Sequence, residues 1–206
     1  MADLSLFEEQ NKNELNKLTE PYYKETEFKG LDLANGELKG KEFYRCKFTS
    51  CNFFKVKFIS CEFDNCTFAA SDLSLSIVKG SKFLSTYFKD SKSVGIDWRE
   101  VRRPSTFKFV NSKIDNSVFY KMDLRSINLI NCSAQNVDFV EADLSKAVFT
   151  NTDLLGSRFS FTNLAYADFS EAFNYNINPK DNKLKKTVFS MPEAVSLLND
   201  FDIIIK

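Results

Sequence analysis

The 206-residue chain has no histidine, one tryptophan, three methionines and four prolines. Without histidine it lacks the commonest general base and the commonest metal ligand. The six glycines are scattered, which excludes a glycine-rich phosphate loop, and no nucleophile has a recognisable base beside it. No catalytic residue, metal ligand or cofactor is therefore expected, and the chain reads as a non-enzyme. No segment approaches the roughly 18 consecutive apolar residues of a membrane span. The start, Met1-Ala2-Asp3-Leu4, is acidic and lacks the basic-then-apolar pattern of a signal peptide, so a cytoplasmic protein that makes no use of a membrane is expected. Net charge is also absent, with 28 basic and 28 acidic residues.

Phenylalanine is what the chain has in excess: 22 residues. Most of them recur every five positions. From Phe28 the column runs through Leu33, Leu38, Phe43, Phe48, Phe53, Phe58, Phe63, Phe68 and Leu73 to Phe83, Phe88 and Trp98. It resumes one residue out of phase at Phe109 and continues through Phe119, Leu129, Phe139, Phe149 and Phe159 to Phe169. The residue two positions earlier is small: Cys46, Cys51, Cys61, Cys66, Ser71, Ser81, and later Cys132, Ala142, Thr152 and Thr162. A period of five matches neither the 3.6 of a helix nor the 2 of a strand. It matches a chain that turns a corner every five residues, four sides closing a coil whose rungs pair at about 4.7–4.9 Å. The fold class expected is an all-β, right-handed quadrilateral β-helix of about seven coils.

The five cysteines fall in the small column, where a free thiol behaves as a small buried hydrophobe. Cys46 and Cys66 lie one coil apart, within disulfide range, but the expected compartment argues against a bridge. Most Asp and Asn residues stand directly before the central residue, where their side chains can satisfy nearby backbone groups.

The repeats Ala142-Asp143-Leu144, Thr152-Asp153-Leu154, Thr162-Asn163-Leu164 and Ala167-Asp168-Phe169 resemble the pentapeptide repeat family, with its loose consensus A(D/N)LXX, over residues 26–175. The organisation expected is an N-terminal cap over 1–21, the β-helix over 22–178 and a C-terminal module over 179–206. In the cap, Leu4, Phe7, Leu15 and Leu18 have near-helical spacing. In the last module, Ser190-Met191-Pro192-Glu193 fits a helix capping box, and Ile203–Ile205 a closing strand. That ending is similar to the quinolone-resistance branch of the family.

What the resemblance implies is a homodimer through Phe189, Val195, Leu197, Leu198, Phe201, Ile203 and Ile205, and engagement of DNA gyrase or topoisomerase IV as a DNA mimic, with protection from quinolones. The alternative for the C-terminal module is an intramolecular cap. The alternative function is a protein–protein interaction scaffold, using an outward strip such as Tyr120, Val140 and Phe161. Direct nucleic-acid binding ranks last, for want of a motif and of net positive charge.

The candidate partner-binding residues follow from charge. Lys41–Lys113 carries 14 basic against 7 acidic residues, and Ile114–Tyr175 carries 4 against 8. The register break near 99–108 reads first as a tolerated one-residue bulge at a corner; the alternative is a basic bump, Arg99, Arg102 and Arg103, that touches a partner. A DNA mimic would need a dense acidic row, and Asp138, Glu141, Asp143, Asp153, Asp168 and Glu171 supply the candidates, spread over several faces.

Overall fold

A computed structural model describes residues 18–199 together with Phe201, Ile203 and Ile204. Apart from residues 18–21, the expected N-terminal cap lies outside the described residues. The chain divides into two compact units. The first runs to Ile96 and includes Glu100–Phe107; the second comprises Asp97–Arg99 and the residues from Lys108 onward.

Within each unit the rungs pair in parallel with partners 20 residues away. In the first, Tyr22–Lys24, Glu42–Tyr44, Glu62–Asp64 and Lys82–Leu84 form one side, in register at Phe43↔Phe63 and Phe63↔Phe83. Glu27–Lys29, Lys47–Thr49, Thr67–Ala69 and Thr86–Lys89 form the next side, and Glu37–Lys39 pairs with Lys57–Ile59. In the second unit Phe109 pairs with Leu129, and Phe169 with Phe189. This is the four-sided solenoid of five-residue sides that the periodicity requires.

The central column is the core. Phe43, Phe48, Phe58, Phe63, Phe68, Phe83, Phe109, Phe119, Phe139, Phe149 and Phe169 are all buried. Rings on successive rungs stack, with centroids 5.0 Å apart for Phe43–Phe63, 4.8 Å for Phe48–Phe68 and 4.5 Å for Phe149–Phe169. Rings on adjacent sides meet edge to face, as Phe58 and Phe63 do at 5.4 Å. Both geometries suit the aromatic quadrupole.

The small column links the coils as well as filling space. The Ser81 hydroxyl donates to the Phe58 carbonyl at 2.8 Å and accepts from the Cys61 N–H at 3.0 Å. Thr86, Thr152 and Thr162 donate in the same way to Phe63, Leu129 and Phe139. The cysteine thiols repeat the pattern at longer range, Cys61 to Leu38 O and Cys66 to Phe43 O, each at 3.3 Å. A hydroxyl or thiol here satisfies backbone groups that burial would otherwise leave unpaired.

Corners are made by the residue two places after each central one, which takes a left-handed conformation: Arg45 (φ 52), Leu75 (φ 58), Asn116 (φ 59) and Phe161 (φ 55) are examples. Five of the six glycines occupy this column. A non-glycine residue pays roughly 1–2 kcal/mol for that conformation, least for Asn and Asp.

At the register break the first unit's ladder bulges: the Thr106 N–H reaches back to the Phe83 carbonyl at 2.7 Å, and the Phe107 ring lies tilted on Phe83 at 6.1 Å. The C-terminal end departs from the expected caps. The helix over Glu193–Leu198 is 3-10, with Pro192 at its N-cap and no side-chain capping bond. The capping box does not form because Ser190 belongs to the last rung; its hydroxyl accepts from the Glu171 N–H at 3.1 Å. Ile203 and Ile204 belong to no strand, and Ile205 lies outside the described residues.

Candidate interaction surface

Outward side chains come from three positions of each repeat: the residue before the central one, the residue after it, and the corner. Because partners recur every 20 residues, each outward position forms a column up one side. The acidic candidates of the second unit therefore separate. Asp138 and Glu141 occupy one side and its corner, Asp143 the next, Asp168 and Glu171 the third, and Asp153 the fourth.

Five of the six are also engaged. Asp138 accepts from Val140 N–H and from Arg158 at 2.6 Å. Asp143 accepts from Ser145 N–H and from Asn163. Asp153 takes Leu155 N–H, Gln135 and Asn174, and Asp168 takes Ser170 N–H. Glu141 accepts from the Tyr120 hydroxyl at 2.9 Å and pairs with Lys121 at 3.2 Å; the Tyr120 bond, then Lys121, hold its carboxyl below the ordinary value. Four of these six residues thus tie their own turn, each bonding the N–H two residues ahead. No acidic row is assembled from them.

The basic bump is divided as well. In the second unit Arg99 grips Asp97 with two bonds of 2.8 and 2.6 Å and holds that carboxyl below its ordinary value. In the first unit Arg102 pairs with Glu62, and Arg103 is exposed beside Pro104. Of the dimer candidates, Phe189 is a half-buried rung stacked on Phe169 at 5.2 Å. Val195 and Leu197 are half-buried, while Leu198, Phe201 and Ile203 are exposed, and Lys180 Nζ lies 4.7 Å from the Phe201 ring centre. Beneath this end the buried Tyr175 hydroxyl has no hydrogen-bond partner among the described residues. Burial, then the Glu193 charge, pushes it up to about 12.

Burial also pushes the Cys66 thiol up to about 12 and Cys132 to about 11, and none of the five cysteines is in a disulfide. Among the described residues no group of three or more Cys, Asp or Glu is placed to hold a metal, and no helix is long and apolar enough to cross a membrane.

Charge reasoning overlooked a different surface. Leu75, Phe161 and Tyr166 are exposed, Phe161 at 71%, and all three sit at left-handed corners that favour glycine or asparagine. Around Leu75, in the first unit, Phe54, Ile59, Ile77 and Val94 also face outward. The signal available in the sequence was the corner column itself, where glycine concentrates and a bulky apolar residue is out of place. Of the expected strip, Tyr120 and Val140 share a column and Phe161 stands at the neighbouring corner.

A family model described as pentapeptide repeats matches residues 123–160 and 142–173, in eight copies. No curated protein matches the chain significantly. Among solved structures, the trypsin-treated form of QnrB1, a plasmid-mediated fluoroquinolone resistance protein, superposes with a TM-score of 0.53 at 19% identity, covering 90% of each chain. HetL, a pentapeptide repeat protein involved in heterocyst differentiation regulation in the cyanobacterium Nostoc, gives 0.57 at 12% identity, over 86% of this chain and 90% of its own. At these identities the likeness is one of fold.

Proposed function

We propose that the chain is a pentapeptide repeat protein that serves as a non-catalytic scaffold for a protein partner, since its core is committed to stacking and only its outward columns can do work. The observation that carries this is the set of bulky apolar residues at exposed left-handed corners, Leu75, Phe161 and Tyr166. Such residues are outliers in that conformation, so the fold gains nothing from them. Replacing the three by Asn should leave thermal stability unchanged or raised while partner capture falls. A clear loss of stability would mean that they serve the fold, and would remove the argument.

The exposed Leu198, Phe201 and Ile203 at the C-terminal end support a homodimer through that module. Leu197→Arg with Leu198→Arg should then give monomers by light scattering; an unchanged dimer would refute it.

A second reading takes DNA gyrase or topoisomerase IV as the partner, with protection from quinolones. The fold shared with a fluoroquinolone resistance protein favours it. The dispersal and self-pairing of the acidic side chains weigh against mimicry of DNA as its means. A gyrase supercoiling assay with and without a fluoroquinolone decides: protection or inhibition supports this reading, and no effect from folded protein leaves the scaffold with another partner.

A further inference from the structure

The corner around Leu75 carries more than apolar surface. Leu75 and Ile77 are 46% and 45% exposed, on consecutive sides of one coil. Phe54 and Ile59 flank them on the coil before, and Val94 on the coil after. Gly95 is the corner above Leu75, and a Cβ placed there would come within 2.7 Å of Leu75 Cδ2, so glycine leaves room for the leucine to lie along the ladder. The patch is thus a short groove-free strip spanning three rungs, at about 4.7–4.9 Å per rung.

Its rim is basic. Lys55 is the corner below Leu75, with its ammonium 5.2 Å from the Phe54 ring centre. Lys57 stands directly below Ile77 in the ladder, and Lys39 and Lys79 bracket Ile59 in the next column. None of these four lysines forms an ion pair among the described residues, whereas Lys47, Arg45 and Arg102 of the same unit are all paired. Glu37, in register opposite Lys57, makes no ion pair with it, and Glu100 stands on the coil after Lys79, its carbonyl accepting from the Gly80 N–H. Asp72, on the adjoining side, spends its carboxylate on the Ser74 N–H.

We propose that this strip is the docking site for an acidic, amphipathic helical segment of a partner protein. The proposal rests on the scaffold reading above and names the chemistry of the partner. Charge complementarity selects the occupant: apolar side chains cover Leu75 and Ile77 while flanking carboxylates meet the lysine rim. A helix fits the ladder, because one turn rises about 5.4 Å, close to one rung, so side chains at i, i+4 and i+7 fall beside successive coils.

The test uses the full chain and a synthetic fluorescent peptide with leucines at i, i+3, i+4 and i+7 and glutamates elsewhere, read by anisotropy. A control peptide carries lysines in place of the glutamates. The acidic peptide should bind with an affinity that falls on adding salt, and the lysine peptide should bind at least tenfold more weakly. Ile77→Asp and, separately, Lys57→Glu with Lys79→Glu should each weaken binding tenfold or more, while Leu155→Asn, at an exposed position in the other unit, leaves it unchanged. Ile77 is half exposed, so these variants should keep the native circular dichroism; Ile77→Ala offers a milder check if one does not. Absence of binding, equal binding of both peptides, or indifference to Ile77→Asp each overturns the proposal. Failure of the scaffold reading is seen elsewhere, in the thermal stability of the corner variants.

Discussion

The two units build the same coil with different turns. In the second unit, side after side closes with a bond from the N–H three residues on to the central carbonyl, as in Ser117 to Ile114, Ala142 to Phe139, Ala147 to Leu144 and Ser157 to Leu154. The residue before the centre is then commonly Asp or Asn, bonding the N–H two residues ahead in an Asx turn. In the first unit that turn is confined mainly to the side of Leu33, Phe53 and Leu73 and the neighbouring Val78. Its other sides form regular strands whose residue before the centre is mostly Glu or Lys, with Thr67, Tyr22 and Tyr87 as the others. The difference accounts for the acidity of the second half, whose turns use Asp123, Asp138, Asp143, Asp153 and Asp168. The strands of the first half carry Glu as well as Lys at that position, and many of its basic residues, such as Arg45, Lys55, Lys79 and Lys89, stand at corners or after the centre.

The cores diverge in parallel. The first unit stacks phenylalanine on adjoining sides, Phe43–Phe63–Phe83 and Phe48–Phe68–Phe88. The second alternates an aromatic side, Phe119–Phe139–Phe159, with leucine on the next side, Leu124, Leu144 and Leu164.

The largest effect that would break this comparison is in the aromatic stack. Phe58→Asp buries an unpaired carboxylate, and no cooperative unfolding transition should survive in the variant. Soluble, cooperatively folding protein would contradict the register.

Smaller is the loss of a coil-linking hydroxyl. Ser81→Ala orphans the Phe58 carbonyl and the Cys61 N–H and should cost about 1–3 kcal/mol by urea denaturation. Cys61→Ser, which puts a stronger donor in the same place, should be neutral or stabilising.

The turn argument is sharpened by Asp143. Asp143→Asn keeps the acceptor and should change stability little, whereas Asp143→Ala should cost about 1 kcal/mol. Equal losses in both would mean that charge, not the turn, is what Asp143 supplies.

The smallest effect separates the units by titration. Burial raises the thiols of Cys66 and Cys132 from an ordinary 9.0 to about 12 and about 11. A raised folded-state pKa favours folding fully below the unfolded value. That contribution is lost as pH climbs from about 9 through the folded values, so the melting temperature should fall over this alkaline window. Cys66→Ala and Cys132→Ala should each shrink the fall, and native protein at pH 8 should resist alkylation until denatured.

Much was legible in the chain itself. A five-residue period of phenylalanine and leucine beside a column of small residues dictates a four-sided coil, because no other backbone returns a side chain to the same axis every fifth position. The register break between Trp98 and Phe109 was visible for the same reason. The candidate site was not. Net charge along the sequence suggested a basic half and an acidic half that could face partners, but Asp138, Asp143, Asp153 and Asp168 proved to be bound to their own turns and set on four different sides. The C-terminal capping box failed because Ser190 was already held by the last rung.

By itself, then, the sequence determined the core, since burial every fifth residue is a local pattern repeated 20 residues later on the same side. Only the tertiary structure decided which outward residues share a side, which carboxylates are spent on backbone N–H groups, and that Leu75 and Ile77 stand together over unpaired lysines. Those outcomes depend on the stacking of residues 20 apart and on hydrogen bonds made across rungs, and the order of residues along the chain does not display either.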